Sequence, residues 1–369
     1  MKSPIQKMNF AKRRQKLWKR VRGVGASAIL ITRQINVRYL TGFTGSSGFL
    51  WLDAGKAVLL SDSRYETQIA DECSDIDVLI RDAKSTQLDL ISKIQKSSRA
   101  TSMAFESDHV SHSLYQEMSD QLATELVPVS GLVQELRMIK DRAELDLIRN
   151  SIRINQRAFA VIRSQLTADQ TEREIAHNLE HQIRKFGGEE CSFDPIVAVG
   201  ARSALPHAVP THAAIEEAGF ALIDWGASVD GYASDLTRMV VTAKIPPKIR
   251  KIFETVLKAQ TAAIAKIRPG KTIQAADKAA RDVIGKAGFG KYFGHGLGHG
   301  IGLEIHESPF VSPIRKGEFR QNMVVTVEPG IYLPGIGGVR IEDNVRVTKD
   351  GVEMLSSLPK TLDESIVYI

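Results

Sequence analysis

The chain has 369 residues, of which 43% are hydrophobic and 25% charged, and a formal net charge of +6. This length suits two domains, and the composition is ordinary for a soluble globular protein. No run reaches the roughly 18 uninterrupted apolar residues of a membrane span, so we expect no membrane partner. The two cysteines, Cys73 and Cys191, form no CxxC motif, which favours a reducing, cytoplasmic location over a disulfide framework.

Much of the positive charge lies in the first segment of the chain. The basic residues there are Lys7, Lys12, Arg13, Arg14, Lys16, Lys19, Arg20 and Arg22. They could bind nucleic acid or an acidic membrane, or they could form the solvated face of a helix that turns Phe10, Leu17 and Val21 inward. We favour the solvated face, and expect no nucleic-acid partner, because no aromatic platform or known nucleic-acid motif accompanies the charges.

The apolar run 24–31 follows this basic segment and superficially resembles a secretory signal. It is short and leads into RQINVRYL, which contains no small-residue cleavage site. A buried strand is therefore the better interpretation.

Residues 1–135 alternate short apolar runs with amphipathic segments. Strands are predicted at 26–32, 57–62, 77–80 and 102–107, and helices at 85–97 and 111–124. Such alternation is typical of an α/β layer with a sheet. The loop TGFTGSSGF, residues 41–49, is predicted to be a tight turn. It is not a phosphate-binding Walker loop, because no Gly-Lys-Ser/Thr follows.

The segment LRMIKD, residues 136–141, is the expected boundary, so the second domain spans 136–369. Asp141 with Glu144 predicts the start of a long helix to about Ser164. Thr171 begins a second helix that ends at Gly187-Gly188. Two further helices are predicted at 246–267 and 272–288, and each pair precedes a β-hairpin pattern. Helix, helix, hairpin, then the same again, suggests an internal duplication.

Four acidic residues and a histidine form the main candidate site. They are Asp224, Asp235, His299, Glu328 and Glu342. All but the histidine segment are predicted to be strands. If the four carboxylates converge they repel one another strongly, and two divalent cations with a combined charge of +4 would cancel that repulsion. The pattern therefore predicts a site for two metal ions.

The first hairpin relates Asp224 to Asp235. A two-residue loop at Val229-Asp230 would place them directly opposite each other on one face of the sheet. A loop at Asp230-Gly231 would shift the pairing by two residues. The simplest alternative is that both acids are solvated hairpin ends.

The second pair of acids, Glu328 and Glu342, flanks the Gly-rich turn YLPGIGGV. After that turn the chain alternates, with Val339, Ile341, Val345 and Val347 on one side and Arg340, Glu342, Asn344 and Arg346 on the other. Glu342 is therefore expected on a polar face, where a ligand could lie. The simplest alternatives are a strand end for Glu328 and an exposed neighbour of Arg340 for Glu342.

Three histidines, His295, His299 and His306, lie close together in a chain that has nine. One could bind metal while the others donate protons, and the glycines beside His299 could serve only close backbone approach. Oxygen and nitrogen donors suit manganese, cobalt, iron or zinc, and the absence of a thiolate argues against a structural zinc site.

The motifs carry a family resemblance. The chain resembles the pita-bread metallopeptidases, which include methionine aminopeptidases, Xaa-Pro aminopeptidases and prolidases, through FDPIVAVGARSALPH, DWG, SDLTR, GHGLGHGIGLEIHE, TVEPGIY and GGVRIEDN. The first domain, with NVRYLTGFTGSSG and SDSRY, is similar to the creatinase-type N-terminal domain of the Xaa-Pro branch. The resemblance implies an α/β (α+β) fold class, in which a creatinase-like α/β domain precedes a pseudo-symmetric pita-bread catalytic domain.

The resemblance also implies roles for individual residues. Asp224 would bind one metal ion through both oxygens, Asp235 and Glu342 would bridge both ions, and His299 and Glu328 would complete the other. His207, His306 and Glu328 would be catalytic. Phe193, His295, Ile305 and Arg340 would bind substrate, with Phe193, Ile305 and the imidazoles forming a wall for a proline ring. Asn344 stands where an apolar residue is common, and we expect no consequence for the chemistry.

These assignments predict a dinuclear-metal exopeptidase that cleaves before proline by attack of a metal-bridging hydroxide. We expect an Xaa-Pro aminopeptidase that uses manganese, with cobalt, zinc or iron as alternatives. The partner would be a peptide with proline in the second position, and relatives imply a homodimer or larger assembly. The alternatives are an Xaa-Pro dipeptidase, a metal-free or non-catalytic binding member of the fold, and a methionine aminopeptidase, which the N-terminal domain disfavours.

Overall fold

The computed structural model describes residues 8–369, which form two compact units that divide after Arg137. The expected domain boundary between residues 135 and 136 lies two residues earlier and stays a prediction. Lys7, which belongs to the basic segment noted above, lies outside the described residues. Among the described helices, none is both long enough and apolar enough to cross a membrane.

The first unit is built on a sheet of six strands in the order β4-β3-β2-β1-β5-β6. The strands are β1 (Ala28–Ile31), β2 (Phe49–Asp53), β3 (Ala57–Asp62), β4 (Asp77–Arg81), β5 (Ser102–Glu106) and β6 (Glu125–Val129). The central pairs β1–β2 and β2–β3 are antiparallel, and the outer pairs are parallel. The predicted strands are β1, β3, β4 and β5, whereas the sequence pattern does not single out β2 or β6.

Six helices accompany this sheet in the described part of the first unit. They are α1 (Phe10–Gly23), α2 (Gln34–Thr41), α3 (Glu66–Glu72), α4 (Gln87–Ser98), α5 (His112–Gln121) and α6 (Gln134–Arg137). The predictions at 85–97 and 111–124 correspond to α4 and α5. The Thr86 side chain and Asp89 form a capping box at the start of α4, which satisfies backbone donors that the first turn leaves unpaired.

The basic face of α1 differs from the expected solvated face at two positions. Leu17 and Val21 are buried as predicted, but Arg13 and Arg14 are buried with them. Arg13 donates to the carbonyl of Tyr39 at 3.0 Å and Arg14 to that of Leu40 at 2.9 Å. These carbonyls belong to the last turn of α2, where helix geometry leaves them without partners and favours positive charge.

The second unit contains four long helices in two pairs. They are α7 (Arg142–Ser164), α8 (Glu172–Lys185), α9 (Pro247–Ile264) and α10 (Ile273–Lys286). Asp141 and Glu144 form a capping box on α7, and Thr171 and Glu174 form one on α8. Both predicted helix starts are confirmed.

A similar order of strands follows each helix pair. The first set is β7 (Glu190–Cys191), β8 (Ile196–Val199), β9 (Phe220–Trp225), β10 (Ala227–Val229), β11 (Tyr232–Ala233) and β12 (Leu236–Val241). The second is β13 (Gly298–Gly300), β14 (Glu307–Val311), β15 (Val324–Val327), β16 (Gly330–Leu333), β17 (Gly337–Arg340), β18 (Asp343–Val347) and β19 (Val352–Met354). The sheet β8-β9-β12 corresponds to β13-β15-β18, and the hairpins β10–β11 and β16–β17 correspond to each other. The unit is therefore pseudo-symmetric, as the duplication predicts.

The register of the first hairpin is the shifted alternative. Val229 pairs with Tyr232, so the loop is Asp230-Gly231, and Asp224 lies opposite Thr237. The expected direct pairing of Asp224 with Asp235 is wrong. Asp230 and Gly231 both have positive φ, 48° and 74°, which a two-residue type I′ turn requires and which glycine at the second position favours.

The apolar side of the second hairpin is buried as the alternation predicts. Val339, Ile341, Val345 and Val347 join one hydrophobic cluster with residues of α9 and α10. Burial of these four side chains fixes which face of the segment turns away from the core. Glu342 lies between two of them in sequence and takes the other face.

Candidate active site

The four acids lie at the junctions between the sheets and the hairpins. Asp224 is near the end of β9, and Glu328 directly follows β15. Asp235 lies between β11 and β12, and Glu342 between β17 and β18, where the chain returns to the sheet. The duplication thus places two acids at equivalent positions in each half. The prediction that all four lie in strands is correct only for Asp224, because the other three fall in the breaks where the chain changes sheets.

His299 lies in the middle of β13, so the expectation that the histidine segment is not a strand is wrong. The neighbouring residues, Gly298 and Gly300, permit this position because they have no side chains. A Cβ on Gly298 would lie 2.2 Å from the carbonyl oxygen of Thr326, and one on Gly300 would lie 2.4 Å from that of Ser308. The prediction that these glycines serve close backbone approach is confirmed.

The fold brings the candidate ligands together. Ligand atoms of Asp235, His299 and Glu342 lie within 4.8 Å of one another. The Nε2 atom of His299 is 3.2 Å from Oε1 of Glu328 and 3.6 Å from Oδ2 of Asp235. Asp224 is joined to the same group through Arg340, whose guanidinium donates to Asp224 Oδ2 at 2.5 Å.

Burial and mutual repulsion dominate the electrostatics of this cluster. Asp224, Asp235 and Glu342 are 8%, 5% and 1% exposed. Burial and the neighbouring carboxylates raise the pKa values of Asp235 and Glu342 well above their ordinary values. Burial also opposes ionisation of Glu328, but the hydrogen bond from His299 lowers the pKa of Glu328 to about 2. The cluster lacks enough positive charge of its own to hold all four acids ionised.

Unsatisfied acceptors indicate what the cluster lacks. Asp224 Oδ1 and Glu342 Oε1 are buried and accept no hydrogen bond from the described protein atoms. A buried acceptor without a partner costs about 1–3 kcal/mol. Cations would satisfy both oxygens and cancel the repulsion, and carboxylate and imidazole donors suit borderline divalent ions. The residues present therefore fit a divalent metal site.

Two residues that the sequence pattern does not single out connect the acids. The Thr237 hydroxyl donates to Glu342 Oε2 at 2.8 Å and accepts from Arg340 Nε at 3.0 Å. The Tyr332 hydroxyl contacts Arg340 at 2.8 Å and His295 Nε2 at 2.9 Å. Thr237 follows Asp235 by two residues, and this period-two spacing is the signal that could have identified it.

A cavity of about 620 Å³ opens onto the acids. Its lining includes five candidate catalytic or substrate-binding residues, Phe193, His207, His295, His306 and Arg340, together with Asp224, Asp235, His299 and Glu328. Its other walls include apolar side chains that the sequence pattern does not single out, namely Pro195, Ile196, Pro206, Val209 and Phe310. A cavity of this size with apolar walls and a few converging polar groups is typical of a small-molecule or peptide site.

Two predicted residues lie elsewhere. Glu342 is not among the described residues that line the cavity, and its Oε2 atom accepts from the Thr237 hydroxyl. Ile305 is not among the described residues that line the cavity, so its predicted contact with a proline ring is not supported. Ile305 lies in a bend two residues before β14. The neighbouring His306 lines the cavity.

The imidazole of His306 lies beside that of His299, with ring centroids 4.3 Å apart. Partial burial, and then the charge of His299, lower the pKa of His306 below its ordinary value. His306 is therefore neutral near pH 7 and keeps one N–H to donate.

Comparison with known proteins extends these observations. The profile of metallopeptidase family M24 matches residues 146–349, and that of the creatinase/prolidase N-terminal domain matches residues 13–139. The uncharacterised peptidase YqhT of Bacillus subtilis is 36% identical over 92% of this chain and 96% of its own length. The Xaa-Pro dipeptidase of Pyrococcus horikoshii is 36% identical over 91% of this chain and 94% of its own length.

Solved structures give the same picture. The Xaa-Pro dipeptidase from Bacillus anthracis superposes with a TM-score of 0.93 and 37% identity, over 96% of this chain and 99% of the other. The X-Pro aminopeptidase from Thermotoga maritima superposes with a TM-score of 0.87 and 35% identity, over 95% of this chain and 100% of the other. Similarity therefore extends to a dipeptidase and to an aminopeptidase.

Proposed function

Because this chain belongs to metallopeptidase family M24 and carries a creatinase/prolidase N-terminal domain, we propose that it is an Xaa-Pro aminopeptidase. It would remove the first residue of peptides that have proline in the second position. The family resemblance and the fold class predicted from the sequence are confirmed, and the chain is a hydrolase. The observation that carries the proposal is the buried cluster of Asp235, His299 and Glu342 beside a cavity of peptide-binding size.

Two divalent metal ions are part of this proposal, with manganese as the expected metal. Asp224 would hold one ion through both oxygens, Asp235 and Glu342 would be shared, and His299 and Glu328 would hold the other. The unpartnered oxygens of Asp224 and Glu342 support this set. When bound, such ions lower the pKa of a water molecule and polarise a peptide carbonyl.

The protein residues would supply the remaining chemistry. Glu328, which lines the cavity beside the other acids, would accept the proton of the attacking water and deliver it to the leaving nitrogen. His306, neutral and lining the cavity, would donate its N–H to the oxyanion that develops on the carbonyl. His207 lines the same cavity and would assist it.

Recognition of proline must rest on packing, because the amide nitrogen before proline carries no hydrogen. Phe193 would pack against the ring, with His295 and Arg340 as the polar rim. Tyr332 holds both of these side chains through its hydroxyl. The pKa of the Tyr332 hydroxyl is raised to about 12, mainly by burial, so it stays protonated and keeps both contacts.

The main alternative is an Xaa-Pro dipeptidase, or prolidase. It differs only in what closes the far end of the cavity, and the similar proteins include both kinds. A methionine aminopeptidase is disfavoured by the creatinase-type domain. A metal-free binding protein is disfavoured because all five candidate ligand residues are present.

A peptide panel tests the proposal. Turnover of Xaa-Pro, Xaa-Pro-Yaa and Met-Ala-Yaa peptides would be measured with manganese, cobalt and zinc. We expect release of the first residue from Xaa-Pro-Yaa and none from Met-Ala-Yaa. Cleavage restricted to Xaa-Pro would identify the dipeptidase instead, and hydrolysis of Met-Ala-Yaa alone would refute both readings.

A further inference from the structure

The two acids that would be shared between the metal ions are linked through their backbone carbonyls. The side-chain amide of Asn344 donates to the carbonyl oxygen of Asp235. The guanidinium of Arg238 donates to the carbonyl oxygen of Glu342 at 2.5 Å. Asn344 lies two residues after Glu342 and contacts the backbone of Asp235. Arg238 lies three residues after Asp235 and contacts the backbone of Glu342. The contacts are therefore reciprocal and connect the two breaks in the chain.

Both donors are held in the interior. Arg238 is 2% exposed and Asn344 is fully buried. Asp343 accepts from Arg238 at 2.7 Å, and the Ser356 hydroxyl donates to the same oxygen at 2.8 Å. An ion pair with these additional hydrogen bonds leaves the guanidinium a single orientation.

The segment 356–360, near the C-terminus, completes the arrangement. Arg238 also donates to the carbonyls of Leu358 and Pro359, at 2.9 and 3.0 Å. The ammonium of Lys360 donates to the second oxygen of Asp343 at 2.5 Å. This segment therefore helps to immobilise Arg238 and its partner Asp343.

Gln260 of α9 connects Asp343 to the backbone beside Glu328 and Glu342. Its amide donates to the carbonyls of Val327 and Ile341, at 3.1 Å each. These residues immediately precede Glu328 and Glu342. The backbone beside both glutamates is thus fixed by one buried side chain.

We propose that Arg238 and Asn344 are positioning residues that form a reciprocal carbonyl clamp, which sets the separation of Asp235 and Glu342 and thereby the affinity for the metal pair. The inference rests on the proposed function, since it takes both acids as metal ligands. Residues that orient metal ligands typically change metal affinity by about 10- to 100-fold when mutated. Asn344 thus has a function although an apolar residue is common at its position in the family, which revises the expectation that it has no consequence for the chemistry.

Asn344→Leu tests the clamp, because it keeps the branching and the number of side-chain heavy atoms and removes the donor. Manganese affinity would be measured by competition with a chelator, and thermal midpoints with and without manganese. We expect affinity to fall by about 10- to 100-fold and the manganese-induced rise in midpoint to shrink. A purely structural role would lower both midpoints equally and leave the affinity unchanged, which would overturn the proposal.

Gln95→Leu is the matched control. Gln95 is a buried amide of the first unit that donates to the carbonyls of Ala100 and Ala123, at 3.1 and 3.3 Å. Its loss is expected to lower stability without changing manganese affinity. A wild-type protein that binds no divalent ion would refute the proposed function itself, so the two failures are distinguishable.

Arg238 cannot be tested by simple truncation, because Arg238→Ala would leave Asp343 as a buried charge without its main partner and is expected to prevent folding. Lys360 is therefore the second position to test. Lys360→Met removes the ammonium that donates to Asp343 and, at 2.8 Å, to the side-chain oxygen of Gln260, and it should fold, because Lys360 is half-buried. We expect weaker manganese binding in the same direction as for Asn344→Leu, but by a smaller factor. Unchanged affinity in this variant would exclude the C-terminal segment from the clamp.

Discussion

Replacing Glu172 should show what the cavity wall contributes independently of the candidate metal ligands. Glu172 begins α8, and its carboxylate is fully buried. It accepts from the backbone N–H groups of Val199 and Thr211 at 2.8 and 2.7 Å, and from Arg202 Nε at 2.9 Å. These donors enclose the loop that carries His207 and one wall of the cavity. Glu172→Ala should therefore loosen this wall and leave the acids in place.

The magnitude follows from the donors that lose their acceptor. Each buried N–H left without a partner costs about 1–3 kcal/mol. Arg202 is 32% exposed and can regain water, so its contribution is discounted. Two backbone donors then give about 3 kcal/mol, which lowers the thermal midpoint of a unit of this size by roughly 6–12 °C. A displaced His207 should lower kcat/KM by about 10- to 100-fold.

The assay combines thermal midpoint, metal content and turnover of an Xaa-Pro-Yaa peptide, all at a temperature where the variant is folded. Metal content should stay at the wild-type value, because no candidate ligand lies on this loop. Glu174→Ala is the control, since it removes a carboxylate of the same helix turn whose role is to cap the helix by accepting from the backbone and hydroxyl of Thr171. It should cost about 1 kcal/mol and leave kcat/KM unchanged. A folded Glu172→Ala protein with wild-type kcat/KM would refute the reasoning.

Three further predictions concern the site and the assembly. His306→Ala should lower kcat by about 100- to 1,000-fold with metal content and midpoint unchanged, because His306 is only partly buried and is not a candidate metal ligand. His299→Ala should lose metal as well. Near-normal turnover in the His306 variant would show that its assigned role is wrong. Asp235→Ala and Glu342→Ala should lose metal in elemental analysis, and wild-type activity that survives exhaustive chelation would contradict the metal site. Light scattering should find a homodimer or larger, with the loop 41–48 near a partner's cavity, and a fully active monomer would count decisively against this arrangement.

Local rules predicted the helices of the second unit well. Asp141 with Glu144, and Thr171 with Glu174, mark helix starts because a cap and its partner lie three residues apart. Such contacts form within one turn and need no tertiary structure. The α2 helix escaped prediction because its N-cap position holds Arg33, whose side chain does not cap the helix, so the usual signal is absent.

The site was predicted by residue type more reliably than by geometry. Acids with an apolar context and a nearby histidine cluster identified the candidate ligands, and the fold brings them together. The predicted pairing of Asp224 with Asp235 was wrong because the register of a hairpin depends on which two loop residues adopt positive φ. In this hairpin those residues are Asp230 and Gly231. The role of Ile305 stays a prediction, because membership of a motif does not determine the direction of a side chain and Ile305 is not among the described residues that line the cavity.

The sequence by itself determined the family, the duplicated order of helices and hairpins, and the identity of the candidate ligands, because these are carried by local patterns and motifs. Only the tertiary structure decided which other side chains contact these candidate ligand residues. Thr237 contacts Glu342, and Asn344 contacts Asp235, across more than one hundred positions of sequence. No local rule links residues so far apart, since their distance is set by how the two halves pack together rather than by the residues between them.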